Sequence, residues 1–544
     1  TCVHDSENRA ILAENGWNPE FAGRVAFLTA TLPPHSLTGS RYDFLGSEGD
    51  VGNPAGLRHW DLGGRFVAGG DTCAAYQVHL DIEPGATREV TFVLGQAAGH
   101  AEALDLVRKW RAPEAAADAF GEVGKLWQTR LNAVQVSTPD PAFDLMVNRW
   151  LLYQTMASRL LARAGFYQAG GAFGYRDQLQ DVLAVLVSEP QRARAQILHA
   201  AAHQFEDGDA QHWWHPPLGR GVRTHCSDDF IWLAFVTARY IEVTGDDAIL
   251  AEAVPFLKAP PLKPDEADRY ALFETGMTAP LLEHCKRALE RMRKTGAHGL
   301  PLIGTGDWND GMDRVGDEGR GESVWLAWFQ IATIRRFAPL LEKHGDKTYS
   351  AELAAYADSL AQAAEASAWD GNWYVRAFDD EGIPWGSHRN DECQIDSIAQ
   401  SWSVISAAAP QERARTAMAS ASARLVHPDT RLVQLLDPPF HDTPRDPGYI
   451  RAYPPGIREN GGQYTHSAAW FGHALAGLGD GDGALQVFDI ISPIRRTENA
   501  GGARHYAREP YVLPGDVYGP GQNLGLGGWS WYTGAASWTW QLGV

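Results

Sequence analysis

Two carboxylic acids and a tryptophan stand together in a glycine-rich segment between residues 301 and 325. The segment contains Asp307-Trp308-Asn309-Asp310, and it has too much glycine for a packed helix. An aromatic ring can pack on the apolar face of a pyranose while a nearby carboxylic acid protonates the departing glycosidic oxygen. The pattern predicts a sugar-cleaving site. Asp310 is the first candidate for the acid, and Asp307 is the second.

Four other segments share this mixture of acids, aromatic residues, glycine and histidine: 174–181, 203–229, 454–466 and 525–536. In the first, Arg176, Asp177 and Asp181 could hold sugar hydroxyls through charge-assisted hydrogen bonds. The alternative is that Asp177 caps a helix and Arg176 lies on the surface.

The second segment holds several His and Asp residues, which raises the question of a metal site. Their spacing matches no HExxH pair or comparable helical arrangement, so we predict no metal. Trp213 and Trp214 instead favour a sugar-lined loop, and Ser227 or Asp228 could simply cap the following helix.

The last two segments have the properties of an anion site. Gly461-Gly462 allows close backbone approach to a ligand, and Arg458 and His466 could supply positive charge, although a plain helix-capping loop is the alternative. Residues 525–536 place the Thr533 hydroxyl and free N–H groups at a helix start, without the lysine of a nucleotide-binding loop. One acid, an aromatic platform and an anion pocket together predict phosphorolysis.

These loops need a scaffold, and the periodicity of the chain indicates one. Residues 1–97 read as strands, including a hairpin around Pro84-Gly85, and residues 98–138 read as a helical linker. From 140 to 544 we expect ten to twelve helices joined alternately by short turns and long loops, with Asp140-Pro141 marking a helix start and Thr244-Gly245-Asp246 a helix end. The predicted fold is mainly α, an (α/α)6 barrel preceded by a partial β-sandwich.

Composition restricts the partners and the compartment. A formal charge of −20 argues against nucleic acid, and no apolar run is long enough to span a membrane. The five cysteines form no CxxC pair and no signal peptide is visible, so we expect a cytoplasmic protein. Because residue 1 is Thr, an excised or processed chain is the alternative.

Several motifs together resemble the cellobiose and chitobiose phosphorylases, glycoside hydrolase family 94. They cover residues 140–544 and comprise 307–310, 458–462 with His466, 532–534 and 175–181. The segments 17–21, 321–325 and 396–402 are most similar to β-1,2-oligoglucan phosphorylases and to the carboxy-terminal module of cyclic β-1,2-glucan synthases.

The resemblance implies an inverting reaction on β-glucosides that yields α-glucose 1-phosphate, with inorganic phosphate as co-substrate and no cofactor. It also implies roles for individual residues. Asp310 is the general acid, the transferred sugar is held by Arg176, Asp181, Trp308 and Glu459 with Arg458 nearby, and phosphate is held by His466, Thr533 and Gly534.

The sequence departs from the family pattern at Arg458, where cellobiose-type members carry Lys, and in a β-rich portion shorter than usual. The short portion leaves open a homodimer or attachment to further domains. Two other functions also stay open. One is an inverting hydrolase that uses Asp307 or Glu459 as the base, and the other is a non-catalytic glucan-binding or length-controlling module of a larger synthase.

Overall fold

The computed structural model describes residues 1–162 and 171–544. By their contacts, the described residues separate into two units, Thr1–Thr129 and Arg130–Val544. The division into 1–97, 98–138 and 139–544 stays a prediction.

The first unit is built from six strands in its described residues: β1 Cys2–Asp5, β2 Ala10–Glu14, β3 Val25–Ala30, β4 Ser36–Ser40, β5 Thr72–Gln77 and β6 Phe92–Ala97. β1, β2, β3 and β6 form one antiparallel sheet, and β4 pairs with β5. The hairpin prediction was wrong. Gly85 has a positive φ of 80°, as a turn requires, but β5 and β6 on either side of it belong to different sheets.

Three helices accompany these strands: α1 Arg41–Leu45, α2 His100–Trp110 and α3 Ala115–Leu131. Ala103 and Val107, one helical turn apart on α2, are fully buried against Leu12 and Phe27 of the four-stranded sheet. Part of the segment expected to be a linker therefore packs into the core of the first unit.

The second unit is mainly helical. Its α-helices are α4 Pro141–Leu145, α5 Leu151–Thr155, α6 Tyr175–Asp181, α7 Pro190–Ala201, α8 Ile231–Thr244, α9 Leu281–Arg291, α10 Val324–Lys343, α11 Lys347–Ser367, α12 Ser397–Ile405, α13 Gln411–Leu425, α14 Thr465–Gly477, α15 Gly481–Ile491, α16 Pro493–Arg496, α17 Ala500–Tyr506 and α18 Ala535–Gly543. Two π-helical stretches, Met146–Trp150 and Met156–Leu161, continue α4 and α5 into one helical segment, 141–161.

Six of these helices form a closed inner ring within the described residues: α6, α8, α10, α12, α14 and α18 each contact the next, and α18 returns to α6. The segment 141–161 and the helices α7, α9, α11, α13 and α15 pack around the ring. This confirms the predicted (α/α)6 barrel. Its centre is filled by buried indole rings in edge or stacked contact, among them Trp232, Trp325, Trp402 and Trp470.

Short strands decorate the loops of the barrel: β7 Phe173–Gly174, β8 Gln211–His215, β9 Arg220–Thr224, β10 Ala253–Lys258, β11 Asp268–Ala271, β12 Glu274–Pro280, β13 Glu322–Ser323, β14 Ala377–Phe378, β15 Pro384–Trp385, β16 Ile395–Asp396, β17 Val426–His427, β18 Leu432–Val433, β19 Leu436–Asp437, β20 Gln463–Tyr464 and β21 Asp516–Val517. The inner helices α6, α10, α12 and α14 each begin directly after one of them. The long loops therefore lead into the amino-terminal ends of these inner helices, where the first backbone N–H groups have no partner within the helix.

Helix boundaries follow the sequence signals. The Asp140 side chain accepts a hydrogen bond from the Ala142 amide at the start of α4, and α8 ends at Gly245 with φ 73°. No helix within the described ranges combines the length and apolarity that a bilayer crossing requires.

Candidate active site

The loop that carries Asp310 is anchored by a buried ion pair. Arg376 donates to both oxygens of Asp307, at 2.5 and 2.7 Å, and both side chains are fully buried. The Ser323 hydroxyl donates to Asp307 at 2.6 Å, and the Asn309 amide donates at 3.1 Å. Burial alone would raise the pKa of Asp307, but Arg376 and the other donors outweigh it and lower that pKa. Asp307 therefore shapes the loop and does not line the cavity beyond it.

Asp310 itself projects into that cavity, with its side chain 41% exposed. Arg176 at the start of α6 donates to its Oδ1 at 2.5 Å. The same guanidinium donates to Asp228 at 2.7 Å and to the carbonyl of Asp307 at 2.8 Å. These contacts orient one oxygen of Asp310 and leave the other facing the cavity.

A histidine lies beside that second oxygen. Nε2 of His212 is 3.9 Å from Oδ2 of Asp310, and Nδ1 of His212 is 2.7 Å from Asp229. Burial lowers the pKa of His212, but the attraction and hydrogen bond of Asp229 outweigh it, and the pKa is raised to about 9. His212 is therefore protonated at neutral pH.

Trp308 forms a wall between the acid and the predicted anion site. The ring is 7% exposed and lines the cavity. Its centroid lies 5.1 Å from that of His466, 5.4 Å from that of Tyr464 and 4.8 Å from that of Trp470. The contacts fix the orientation of the indole, so its cavity side can present a rigid apolar surface to a sugar.

The predicted phosphate ligands meet at the start of α18. A Cβ on Gly534 would lie 3.3 Å from Nδ1 of His466. The glycine therefore keeps the space beside the His466 ring open. Nε2 of His466 is buried without a hydrogen-bond partner among the described residues. Burial and the nearby Arg159 lower the pKa of His466 to about 3. At this pKa His466 is a neutral hydrogen-bonding group rather than the positive charge expected from the sequence, and its role in binding phosphate stays a prediction.

The positive charge at this position comes from Arg159, which the sequence reasoning missed. Arg159 lies on the π-helical turn Met156–Leu161 and lines the cavity, and its guanidinium stacks 4.3 Å from the ring of Tyr532. A Cβ on Gly534 would lie 3.6 Å from Nη2 of Arg159. The available signal was an arginine next to the apolar pair Leu160-Leu161 in a helical segment rich in leucine.

Arg159 pairs with Asp181 and lies close to Asp177. Nε of Arg159 donates to Asp181 at 2.8 Å, and Nη2 is 3.5 Å from Asp177. Asp181 is fully buried and does not line the cavity, whereas Asp177 does. The structure thus separates Asp181 from the other predicted sugar ligands and places it behind Arg159.

Arg458 and Glu459 form the opposite end of the loop 454–466. The guanidinium of Arg458 lies 4.7 Å from the rings of both Tyr453 and Trp529, and its Nε is 3.2 Å from Glu459. Arg458 adopts a positive φ of 51°, which is unusual for a side chain that is not glycine. Burial raises the pKa of Glu459 more than Arg458 lowers it.

One cavity of about 1510 Å³ collects these groups. Eight of the nine predicted site residues line it: Arg176, Trp308, Asp310, Arg458, Glu459, His466, Thr533 and Gly534. It continues past Trp213 and His215 toward residues 261–268 and 313–319. The space exceeds the roughly 300–1,000 Å³ of ordinary small-molecule pockets, so it suits an extended ligand.

Two groups of side chains in the described ranges are close enough to share a metal ion: His212 with Cys226 and Asp310, and Cys226 with Asp228 and Asp229. The Arg176 guanidinium already contacts members of both, with Nη1 2.7 Å from Asp228 and Nη2 2.5 Å from Asp310. Burial also raises the pKa of the Cys226 thiol. A fixed cation and a protonated thiol make these groups poor metal ligands.

Comparison with known proteins gives relatives for both units. The chain is 45% identical to cyclic beta-(1,2)-glucan synthase NdvB of Rhizobium meliloti over 99% of its length, but spans 19% of that protein. It is 30% identical to solabiose phosphorylase of Paenibacillus borealis over 94% of its length and 63% of that protein. The chain thus spans less than two thirds of these relatives.

The fold also matches that of a bacterial glucoamylase complexed with acarbose, with a TM-score of 0.59 at 11% identity, over 98% of this chain and 72% of that one. The family model described as the glycosyl hydrolase 94 superfamily, catalytic domain, matches residues 126–544, and the model of the glycosyl hydrolase 94 supersandwich domain matches residues 1–113. The chain therefore belongs to the glycosyl hydrolase 94 superfamily.

Proposed function

We propose that the chain catalyses inverting phosphorolysis of β-glucosidic bonds in β-1,2-linked oligoglucans, releasing α-glucose 1-phosphate, and the reverse synthesis. This proposal rests on the side chains that line the cavity of about 1510 Å³. Asp310 is a half-exposed acid, and beyond Trp308 the residues Arg159, His466 and Gly534 surround space suited to an anion.

In this mechanism Asp310 protonates the leaving glycosidic oxygen while phosphate attacks the anomeric carbon from the opposite face. Phosphate is already a nucleophile at neutral pH, so no carboxylate base is required. This explains how one acid can suffice where an inverting hydrolase needs two carboxyl groups about 6.5–9.5 Å apart around a water. Arg176 holds the acid in place, and positioning supplies much of the rate.

Phosphate is bound by Arg159, by neutral His466 and by the Thr533 hydroxyl with the Gly534 amide. A guanidinium offers paired N–H donors that match phosphate geometry, and the start of α18 adds the partial positive charge of a helix amino terminus. A histidine that stays neutral can donate one hydrogen bond to phosphate without depending on pH across the physiological range.

The transferred glucose packs on Trp308, and its hydroxyls bind Arg176, Glu459 and Arg458. Asp181 contributes through Arg159, because the two side chains are paired at 2.8 Å behind the cavity wall. The remaining length of the cavity, past Trp213, receives the rest of the oligosaccharide. The β-1,2 linkage rests on the name of the 45% identical relative.

An inverting hydrolase on the same barrel is the rival function. Asp307 cannot serve as its base, because the carboxylate is fully buried and already accepts hydrogen bonds from Arg376, Ser323 and Asn309. Glu459 lines the cavity and is the remaining candidate from the sequence.

Incubation with sophorose-series oligosaccharides, with and without phosphate, separates the functions. Phosphorolysis predicts glucose 1-phosphate formation that depends on phosphate, whereas a hydrolase releases glucose in both conditions. A non-catalytic glucan-binding module would bind the oligosaccharide and form neither product. Parallel incubations with laminaribiose and cellobiose oligomers test the linkage.

A further inference from the structure

His212 stands in contact with the acid of the proposed reaction, yet the mechanism above gives it no role. It lies on β8, with its side chain 19% exposed. Its Nδ1 is fixed by Asp229 at 2.7 Å, which holds the ring with Nε2 at 3.9 Å from Oδ2 of Asp310. Asp229, His212 and Asp310 are thus consecutive neighbours, and the last two line the cavity.

The proposed reaction needs a proton on Asp310, and the neighbouring His212 is a group that can supply one. Oδ1 of Asp310 accepts a hydrogen bond from the Arg176 guanidinium at 2.5 Å, so Oδ2 is the oxygen that can receive a proton. The charged groups that face His212 are Asp229, Asp310, Asp177 and Arg176. Three of these are acids and one is a cation, so a proton is stable on the imidazole.

We propose that His212, backed by Asp229, carries the proton that Asp310 delivers to the glycosidic oxygen. This inference rests on the proposed phosphorylase function and assigns a relay within the same site. His212 acts through Asp310, so it is a positioning residue and not itself a catalytic one.

The proton balance of the relay closes without another reactant. The Nε2–H bond of His212 breaks as an O–H bond forms on Oδ2 of Asp310, which leaves a neutral imidazole and a neutral acid. Asp310 then gives this proton to the leaving oxygen and becomes a carboxylate. The imidazole recovers a proton from solvent, and in synthesis every transfer runs in reverse. The 3.9 Å separation is longer than a hydrogen bond, but catalytic contacts often shorten when substrate closes the site.

The relay has a consequence for pH dependence. The resting form, with protonated His212, and the reactive form, with protonated Asp310, contain the same number of protons. Activity therefore follows the ionisation of the pair, and the pKa of His212, raised to about 9 against burial by Asp229, extends phosphorolysis into the alkaline range.

The test compares wild type with His212→Asn over pH 5–10, using a sophorose-series trisaccharide and phosphate. We expect kcat/KM at pH 8 to fall about 100-fold, the lower end of the effect of losing acid catalysis, and the alkaline limb to move down by at least about one pH unit. Asp229→Asn, which keeps the imidazole, should move the limb in the same direction and serves if His212→Asn does not fold.

A matched control is His388→Asn. His388 forms the same kind of pair, with Nδ1 2.6 Å from Asp370, but it does not line the cavity. Its profile should match wild type.

A second substrate separates a relay from a merely structural role. p-Nitrophenyl β-glucoside has a leaving group that departs without protonation, so His212→Asn should slow its phosphorolysis far less than that of the trisaccharide. Equal losses on both substrates with an unchanged pH profile would overturn the relay, as would an unchanged trisaccharide rate. A wild-type protein that forms no glucose 1-phosphate overturns the proposed function itself, which keeps the two failures distinct.

Discussion

The ion pair between Asp307 and Arg376 allows a test of whether Asp307 has a structural role and Asp310 is the general acid. Both side chains have 0% exposure, and they are joined by two hydrogen bonds of 2.5 and 2.7 Å. Asp307→Asn keeps the shape of the side chain but leaves the buried guanidinium with Asp396, 3.6 Å from its Nε, as the remaining ion-pair partner in the part of the chain that the structure describes.

Removing one partner of a buried pair costs about 3–5 kcal/mol, and the remaining Asp396 favours the lower end of that range. We therefore expect Asp307→Asn to lower the free energy of unfolding of the barrel by about 3 kcal/mol, roughly a 150-fold change in the folded-to-unfolded ratio. Adding Arg376→Met should restore part of it, since an uncompensated charge is worse than an apolar pair.

The measurement is denaturant unfolding followed by tryptophan fluorescence, with glucose 1-phosphate formation assayed on the folded protein. Glu342→Gln is the control, because its pair with Lys347 is 3.9 Å apart and both side chains are more than half exposed. The reasoning fails if Asp307→Asn unfolds like wild type yet loses all turnover, since Asp307 would then be acting in the reaction.

The other predictions concern the cavity and pH. Asp310→Asn should abolish phosphorolysis and synthesis together while the protein stays folded, and near-normal turnover in either direction refutes its role as the acid. Arg159→Lys should raise the KM for phosphate about tenfold, the equivalent of about 1.4 kcal/mol, with a smaller change in the KM for oligosaccharide; equal changes in both would place Arg159 outside the phosphate site. His466 and His284 have pKa values lowered to about 3 and about 4, chiefly by burial. They stay neutral when folded and take up protons when unfolded below pH 6.5, so stability falls with acidification, by up to about 2 kcal/mol for each at pH 5. If His466→Gln loses as much stability between pH 7 and pH 5 as wild type does, His466 does not contribute to the loss.

The barrel could be predicted because its signals are local. Asp140-Pro141 and Thr244-Gly245 mark helix boundaries through backbone geometry that each residue type imposes, and both signals matched the structure. The alternation of short turns and long loops then suffices for the ring. The sheet of the first unit was harder, because Gly85 specifies a turn but not which strands pair across it.

The candidate site divides in the same way. Asp310 and Trp308 stand out because a polar motif in a glycine-rich loop has few structural explanations. Arg159 did not stand out, because its role depends on residues distant in sequence. Its partners are Asp181, 22 residues away, and the ring of Tyr532, close to the carboxy-terminal end. The lowered pKa of His466 also could not be predicted from the sequence, because the burial that causes it depends on the whole fold.

The positions of the amino-terminal ends of the inner helices explain why the proposed mechanism needs only one acid. Arg176, His466 and Gly534 belong to the starts of α6, α14 and α18, which are neighbours in the closed ring. Helix amino termini carry partial positive charge, and Arg159 adds a full one, so this side of the cavity favours an anionic nucleophile such as phosphate over neutral water. Under the proposed function, the ring of helix starts therefore favours phosphorolysis over hydrolysis. Replacing Gly534 by Ala, whose Cβ would lie 3.3 Å from Nδ1 of His466, should weaken phosphate binding before it affects binding of the sugar.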